Sequence, residues 1–171
     1  PRVKVEIGCL AMDEPTEHRP IDTLIAKYYP EEDNELSCII RTVVPTRTFL
    51  EKVFLLNEEF QKAKPRYRRM SRHLYDLERL IDTPYGREAL AGKDLYNAIV
   101  EHRKTYYDLK YVDYGLHAPD KIDFLPPVAD MDRWRSDYDE MQHHFIFGTA
   151  LSFDDLLKRM EELRSRFRAI K

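Results

Sequence analysis

From residue 131 onward, large apolar side chains recur three and four positions apart, a spacing that puts them on one side of a helix and on both faces of a strand. Met131, Trp134, Tyr138, Met141 and Phe145 form one such seam. Phe153, Leu156, Met160, Leu163, Phe167 and Ile170 form the next. Ser152 with Asp155 has the layout of a capping box, with Asp in place of the usual Glu or Gln. Two seamed helices joined by FGTAL are predicted to pack as an antiparallel hairpin. The seams read as core rather than as a cofactor site. Only five of the 171 residues are glycine, which argues against a glycine-rich phosphate loop and against an all-β fold full of tight turns.

The front of the chain has a different period. Val3, Val5 and Ile7 alternate with Lys4, Glu6 and Gly8, the pattern of a strand with one buried face. DEPTEHRP reads as turn and loop. IDTLIAKYYP reads as a short helix ended by Pro30, and LSCIIRTVV as a second strand closed by Pro45. After Pro45 the helical period takes over. Thr46 is a candidate cap, and Phe49, Val53, Leu56 and Phe60 follow at helical spacing to about residue 63. KAKPRYRR is a basic, proline-broken loop. RMSRHLYDLERLI, residues 69–81, puts Met70, Leu74, Leu77 and Ile81 on one stripe and Arg69, Arg72 and Asp76 on another. A short helix around GREALA precedes DLYNAIVEHRKTYYD, which has Leu95, Ile99, His102 and Tyr106 on one side. YGLHAPDKIDFLPP reads as loop with a brief extended piece at IDFL.

The predicted class is therefore α+β, mostly α. Residues 1–44 form strands that need a larger sheet, because an isolated pair is marginal in water. Residues 45–171 form a helical bundle. The first residue is Pro rather than Met and leads at once into a strand, so the chain reads as a fragment whose beginning is missing. A formal net charge of -3 does not mark a wholly basic nucleic-acid binder, although cations cluster locally in KAKPRYRR. Two cysteines, Cys9 and Cys38, make no disulfide framework and no zinc spacing. Free thiols in a reducing, cytoplasmic compartment are expected. No apolar run approaches the roughly 20 residues of a membrane span.

Several side chains are candidates for chemistry, each with a plainer alternative. Lys52 lies at the border of an apolar stripe. It either snorkels to water or enters a cleft, where a compact cation on a long stem suits a triphosphate. Asp76 follows Arg72 by four residues, the spacing of a helical ion pair. The alternative is that it orients a cation toward an anion, with His73 and Tyr75 as collar. Glu6 is a carboxylate on a strand, and one carboxylate is not a metal site. DMD at 130–132 opens a helix and complements its dipole. His102 reads as a core histidine, and no Ser-His-Asp or Cys-His arrangement emerges.

The blocks PTRTFLEKVFLLNEEF, RMSRHLYDLERL, VEHRKTYY, IDFLPP, DYDEMQHHFIFG and SFDDLLKRMEEL occur in the order of the C-terminal half of the AbiEii/AbiGii nucleotidyltransferase-like toxins, which this chain resembles. TFLEK and RHLYDL are the most specific of them. The resemblance implies part of a DNA polymerase β-like nucleotidyltransferase from bacterial type IV toxin-antitoxin or abortive-infection systems. It implies Mg2+ and a nucleoside triphosphate as cofactor and substrate of the full-length parent, with none held tightly by the fragment. RNA, including tRNA ends, and a cognate antitoxin are the implied partners. Lys52 matches the family's third motif and Asp76 its fourth. Arg72 and His73 also occupy family positions, and Arg69 adjoins them at the nucleotide. Glu6 matches loosely a third acidic residue that helps hold metal. The glycine turn and the paired aspartates of the first two motifs are not in the sequence, so the fragment is expected to be inactive alone. The competing reading is a helical module that captures an antitoxin or other protein without catalysis.

Overall fold

The computed structural model describes Met12, residues 15–31 and residues 37–170. The candidate first strand, Glu6 and Cys9 lie outside these residues. The chain divides into two compact units, Pro1–Val44 and Pro45–Lys171.

In the first unit, β1 (Thr16–Ile21) runs antiparallel to β2 (Cys38–Val43), with Thr16 opposite Val43 and Ile21 opposite Cys38. Arg41 Nε donates to Thr16 Oγ1 at 2.8 Å across the pair. Between the strands lies α1 (Leu24–Tyr28), whose first turn is capped by Thr23 accepting from the Ala26 amide at 3.0 Å. The strand at Thr16–Ile21 corrects the sequence reading of DEPTEHRP as loop. Pro20 removes one donor, yet among the described residues the sheet has two strands, and an edge strand tolerates that loss. Ile39 and Ile40 stay exposed, and Cys38 is an exposed free thiol.

The second unit is helical. It comprises α2 (Pro45–Phe60), α3 (Ser71–Ile81), α4 (Pro84–Ala91), α5 (Lys93–His102), α6 (Met131–His144) and α7 (Phe153–Arg168). Pro45 itself opens α2, where its fixed φ suits the first turn and its missing N–H costs nothing. Thr46 is therefore inside the helix rather than its cap, and its hydroxyl donates to Glu88 Oε2 of α4 at 2.9 Å. Phe49, Leu50, Val53, Phe54 and Leu56 of α2 are fully buried. α2 packs on α3, α4 and α5, and α3 in turn packs on α6 and α7. Phe167 near the end of α7 stacks against Phe49 at 6.2 Å and meets Tyr96 at 6.1 Å and Phe124 at 5.9 Å. Burying each such ring contributes about 1.5–3 kcal/mol. No described helix is long and apolar enough to cross a membrane.

Ser152 caps α7 as predicted. Ser152 Oγ accepts from the Asp155 amide at 3.2 Å and donates to the Asp155 carboxylate at 2.8 Å. The α7 seam is closed, with Phe153, Leu156, Met160, Leu163 and Phe167 all buried. The α6 seam is closed only at Trp134 and Tyr138, and its end opens at Phe145, which is 66% exposed. The buried side of α5 is turned from the predicted one. Tyr96, Ile99 and Arg103 face the core, while Tyr106 is exposed. A π-helical turn at Arg103–Tyr107 carries the extra residue. Among the described residues the IDFL segment pairs with no strand. Ile122 and Phe124 plug the core, and Asn57 Nδ2 of α2 holds the segment by donating to the Asp123 carbonyl at 2.9 Å.

Gly86 fixes how closely α3 and α4 approach. A Cβ there would lie 2.3 Å from the Leu80 carbonyl oxygen and 2.7 Å from that of Ile81. Both contacts are to backbone, which cannot swing aside as a flexible side chain does. Gly86→Ala is expected to destabilise the unit by about 1–3 kcal/mol, as overpacking does elsewhere. A urea titration measures this, and an unchanged midpoint would show that the corner is looser than drawn.

Candidate functional site

Lys52 and Asp76 come from different helices and meet. Lys52 is on α2 one turn before Leu56, and Asp76 is on α3 one residue before Leu77. Both leucines are fully buried, so the packing of α2 on α3 sets the polar pair at the rim of their joint. Lys52 Nζ lies 2.8 Å from Asp76 Oδ2, with the lysine side chain 20% exposed and the aspartate 40%. The partner of Asp76 is thus Lys52 rather than Arg72, which corrects the i,i+4 pair read from the sequence. An ammonium has three donors, and Asp76 engages one face of it, leaving the remainder for another anion.

His73 stands beside this pair on α3, 8% exposed, with its buried Nδ1 having no hydrogen-bond partner among the described residues. Burial, then the charges of Lys52 and Arg72, push its pKa down to about 4, against the opposing pull of Asp76. The imidazole is neutral at pH 7 and adds no charge to the pair.

Arg69 and Arg72 sit on a neighbouring cleft. Arg69 is not on the helix face that the sequence pattern assigned to it. It precedes α3 with a positive φ of 58°, a conformation uncommon for a side chain with a Cβ. Asp137 of α6 holds it there. The Asp137 carboxylate accepts from the amides of Arg69, Met70 and Ser71, the latter two at 3.1 and 3.0 Å, and from the Ser71 hydroxyl. It thereby serves as the N-terminal cap of α3 from a different helix, since Met70 makes no side-chain cap. Sequence reading missed this residue. Its one signal was an acid inside the Trp134–Tyr138 seam, which a core helix does not carry without a partner.

The basic loop before α3 is partly spent. Glu59 gathers Lys62 Nζ at 2.7 Å, the Arg66 guanidinium at 2.8 Å and the Arg66 amide at 2.8 Å. Burial works to raise the Glu59 pKa, but these bonds outweigh it and hold the carboxylate at about 2. A second, largely apolar cavity of about 300 Å³ lies by Ala89, Tyr96, Pro119 and Ile170 and contains none of the candidate residues. Among the described residues no three His, Cys, Asp or Glu side chains stand together so as to hold a metal ion. The described residues do not fit the Mg2+ of the resemblance, and Glu6 lies outside them.

One comparison bears on this geometry. The family described as "Nucleotidyl transferase AbiEii toxin, Type IV TA system" matches residues 1–159 of the chain. The chain belongs to this family. No curated protein and no solved structure matches the chain. Membership in the AbiEii family makes it a toxin-like nucleotidyltransferase sequence, a class that uses nucleoside triphosphate and Mg2+ and whose toxins are paired with antitoxins. The match includes both TFLEK and RHLYDL, the blocks that supply Lys52 and Asp76.

Proposed function

We propose that residues 45–171 form the substrate-side half of a nucleotidyltransferase, with Lys52 on the phosphates of a nucleoside triphosphate. The observation that carries this reading is the 2.8 Å contact between Lys52 Nζ and Asp76 Oδ2. Two helices from separate sequence blocks converge on one ammonium, held at the rim with its remaining donors open. Asp76 positions that ammonium, and Arg72, one turn before Asp76 on α3, lends a second cation. His73, neutral at pH 7, adds no competing charge beside them. In the assignment we favour, residues 1–44 are a remnant of the nucleotidyltransferase core, and the protein acts in the cytoplasm.

Mg2+ would supply charge neutralisation at the reacting phosphate. Its ligands are not among the described residues, and the sequence has no D-x-D pair that follows a glycine turn. The chain by itself is therefore proposed to bind nucleotide without transferring it. For the competing reading as a protein-capturing module, the closed α7 seam speaks against it and the open end of the α6 seam at Phe145 speaks for it.

Fluorescent ATP, GTP, CTP and UTP titrated into the chain test this. Lys52→Ala is expected to weaken binding of the preferred nucleotide by about 10- to 100-fold, as the loss of charge-assisted hydrogen bonds does. Asp76→Ala is expected to weaken it by less, through a mispositioned Lys52. Tighter binding in Asp76→Ala would mean that Asp76 merely neutralises the lysine. Wild-type affinity in Lys52→Ala would end the assignment.

A further inference from the structure

The turn between α6 and α7 carries the most exposed aromatic ring among the described residues. Phe147 is 96% exposed and Phe145 66%, with Ile146 half-buried between them. Two rings on one turn make a patch rather than a scattered apolar residue. The turn is nevertheless held at both ends. On the α6 side the amides of Phe145 and Ile146 donate to the Met141 carbonyl at 2.9 and 3.2 Å. On the α7 side the Leu151 carbonyl accepts from the Tyr138 hydroxyl at 3.0 Å and from Gln142 Nε2 at 2.8 Å. Between these anchors Gly148 turns the chain with a φ of 102°, and a Cβ added there would meet nothing within 4 Å. The tip is thus fixed at its base and stands clear of the helices, with its rings in water.

Cations adjoin it. Phe145 shares the lining of a cavity of about 270 Å³ with Arg68, Arg69 and Arg72. Elsewhere in the helical unit, Arg66 faces Glu59 at 2.8 Å and Arg164 faces Asp123 at 3.0 Å. Arg68, Arg69 and Arg72 have no ion-pair partner among the described residues. Asp137 in the same lining is taken up by three backbone amides and a hydroxyl. Three guanidiniums therefore stand against one free carboxylate there, Glu140. Phe147 follows Phe145 by two residues, at most about 7 Å of chain, so rings and cations fall within one small area.

We propose that the α6–α7 turn docks on an anionic phospholipid bilayer, with Phe145 and Phe147 entering its surface and Arg68, Arg69 and Arg72 on headgroup phosphates. Rings at the boundary between headgroups and acyl chains and cations at the phosphates are the two components of attachment to such a surface, and each alone is weak. A protein partner would need a broad patch, on the order of 800 Å² a side, whereas two rings on a protruding turn offer a small convex one. A fluid surface closes around such a tip. The helical unit would lie on the membrane rather than cross it, in keeping with helices too short or too polar to span one. This docking does not rest on the nucleotide assignment of Lys52.

Flotation of the intact chain with vesicles of phosphatidylcholine alone, or mixed in equal parts with phosphatidylglycerol, tests this. The mixed vesicles are expected to carry the chain and the neutral ones to leave it behind, with binding that weakens as salt rises. Phe147→Ala is expected to lower the partition coefficient about tenfold, and Arg68→Ala about fivefold. Both side chains are exposed, and an unchanged melting temperature confirms that the variants fold. Phe147→Trp reports insertion directly. Its emission is expected to shift to the blue on the mixed vesicles and to be quenched by brominated acyl chains, while the buried Trp134 stays unchanged. No binding to the mixed vesicles, equal binding to both kinds, indifference to Phe147→Ala, or an emission from Phe147→Trp that lipid does not move overturns the proposal. So does a dimer that forms without vesicles and is dissociated by Phe147→Ala in sedimentation, which would give the tip to a second copy of the chain.

Discussion

Replacing Arg103 with Met is expected to destabilise the helical unit by about 3–5 kcal/mol, the scale of losing one member of a buried ion pair. The residue is 4% exposed. Its Nε donates to Glu58 Oε1 at 2.7 Å, a second guanidinium nitrogen donates to Glu58 Oε2, and the third to Glu51. The Tyr107 ring lies 4.6 Å from the guanidinium carbon. Burial works against its charge, yet the bonds and charge of Glu58, then Glu51, outweigh that and raise its pKa. Glu58 is equally enclosed at 4% exposure. Removing the arginine strands a carboxylate away from water, which costs more than the pair contributes. Removing both charges avoids that, so Arg103→Met with Glu58→Leu is expected to recover most of the loss. Urea midpoints read from the single tryptophan, Trp134, which is fully buried in this unit, measure both. A single variant within 1 kcal/mol of wild type would show that water reaches Glu58.

The helical elements were legible because apolar spacing and packing agree. Phe153 to Phe167 is a seam in the sequence and buried in the fold. The elements misread are those where a distant partner overrides a local signal. Pro20 argues for a loop, but β2 supplies the pairing that makes Thr16–Ile21 a strand. Arg103 looks like one of several cations in EHRKTYY, and only the packing of α5 on α2, through the Tyr96–Ile99 face that Arg103 continues, brings it to Glu58. Asp137 looks like a solvated acid, and only the αL turn at Arg69 gives it three amides to accept from. At the site, Lys52 and Asp76 stand in TFLEK and RHLYDL, the two blocks that carry the resemblance most specifically. That they touch follows from α2 packing on α3, which spacing within either helix cannot reveal. Phe145 was assigned to a core seam because periodicity says which side of α6 a ring occupies, not where the neighbouring helix ends.

Lowering the pH from 7 to 5 is expected to remove about 3–4 kcal/mol of the helical unit's stability, through two buried histidines. His73 is 8% exposed and His117 is 1% exposed. Burial is the main cause that sets each near 4. Around His73, Lys52, Arg72 and Arg66 add to the depression while Asp76 opposes it. Around His117, Arg103 depresses the pKa while Glu58 and Asp113 raise it, and Glu58 Oε1 stands 3.6 Å from Nε2, too far for a hydrogen bond. In the unfolded chain both titrate at about 6.5. Between 6.5 and 4 the unfolded state binds more protons, so stability is complete above that window, falls as pH drops through it, and levels off below. Glu59, held at about 2, contributes only at lower pH. The slope between pH 7 and 5 therefore belongs to the imidazoles. His73→Gln and His117→Gln are each expected to remove about half of it in urea titrations followed at Trp134. A slope as steep in His73→Gln as in the wild type would show that His73 already meets water in the folded unit.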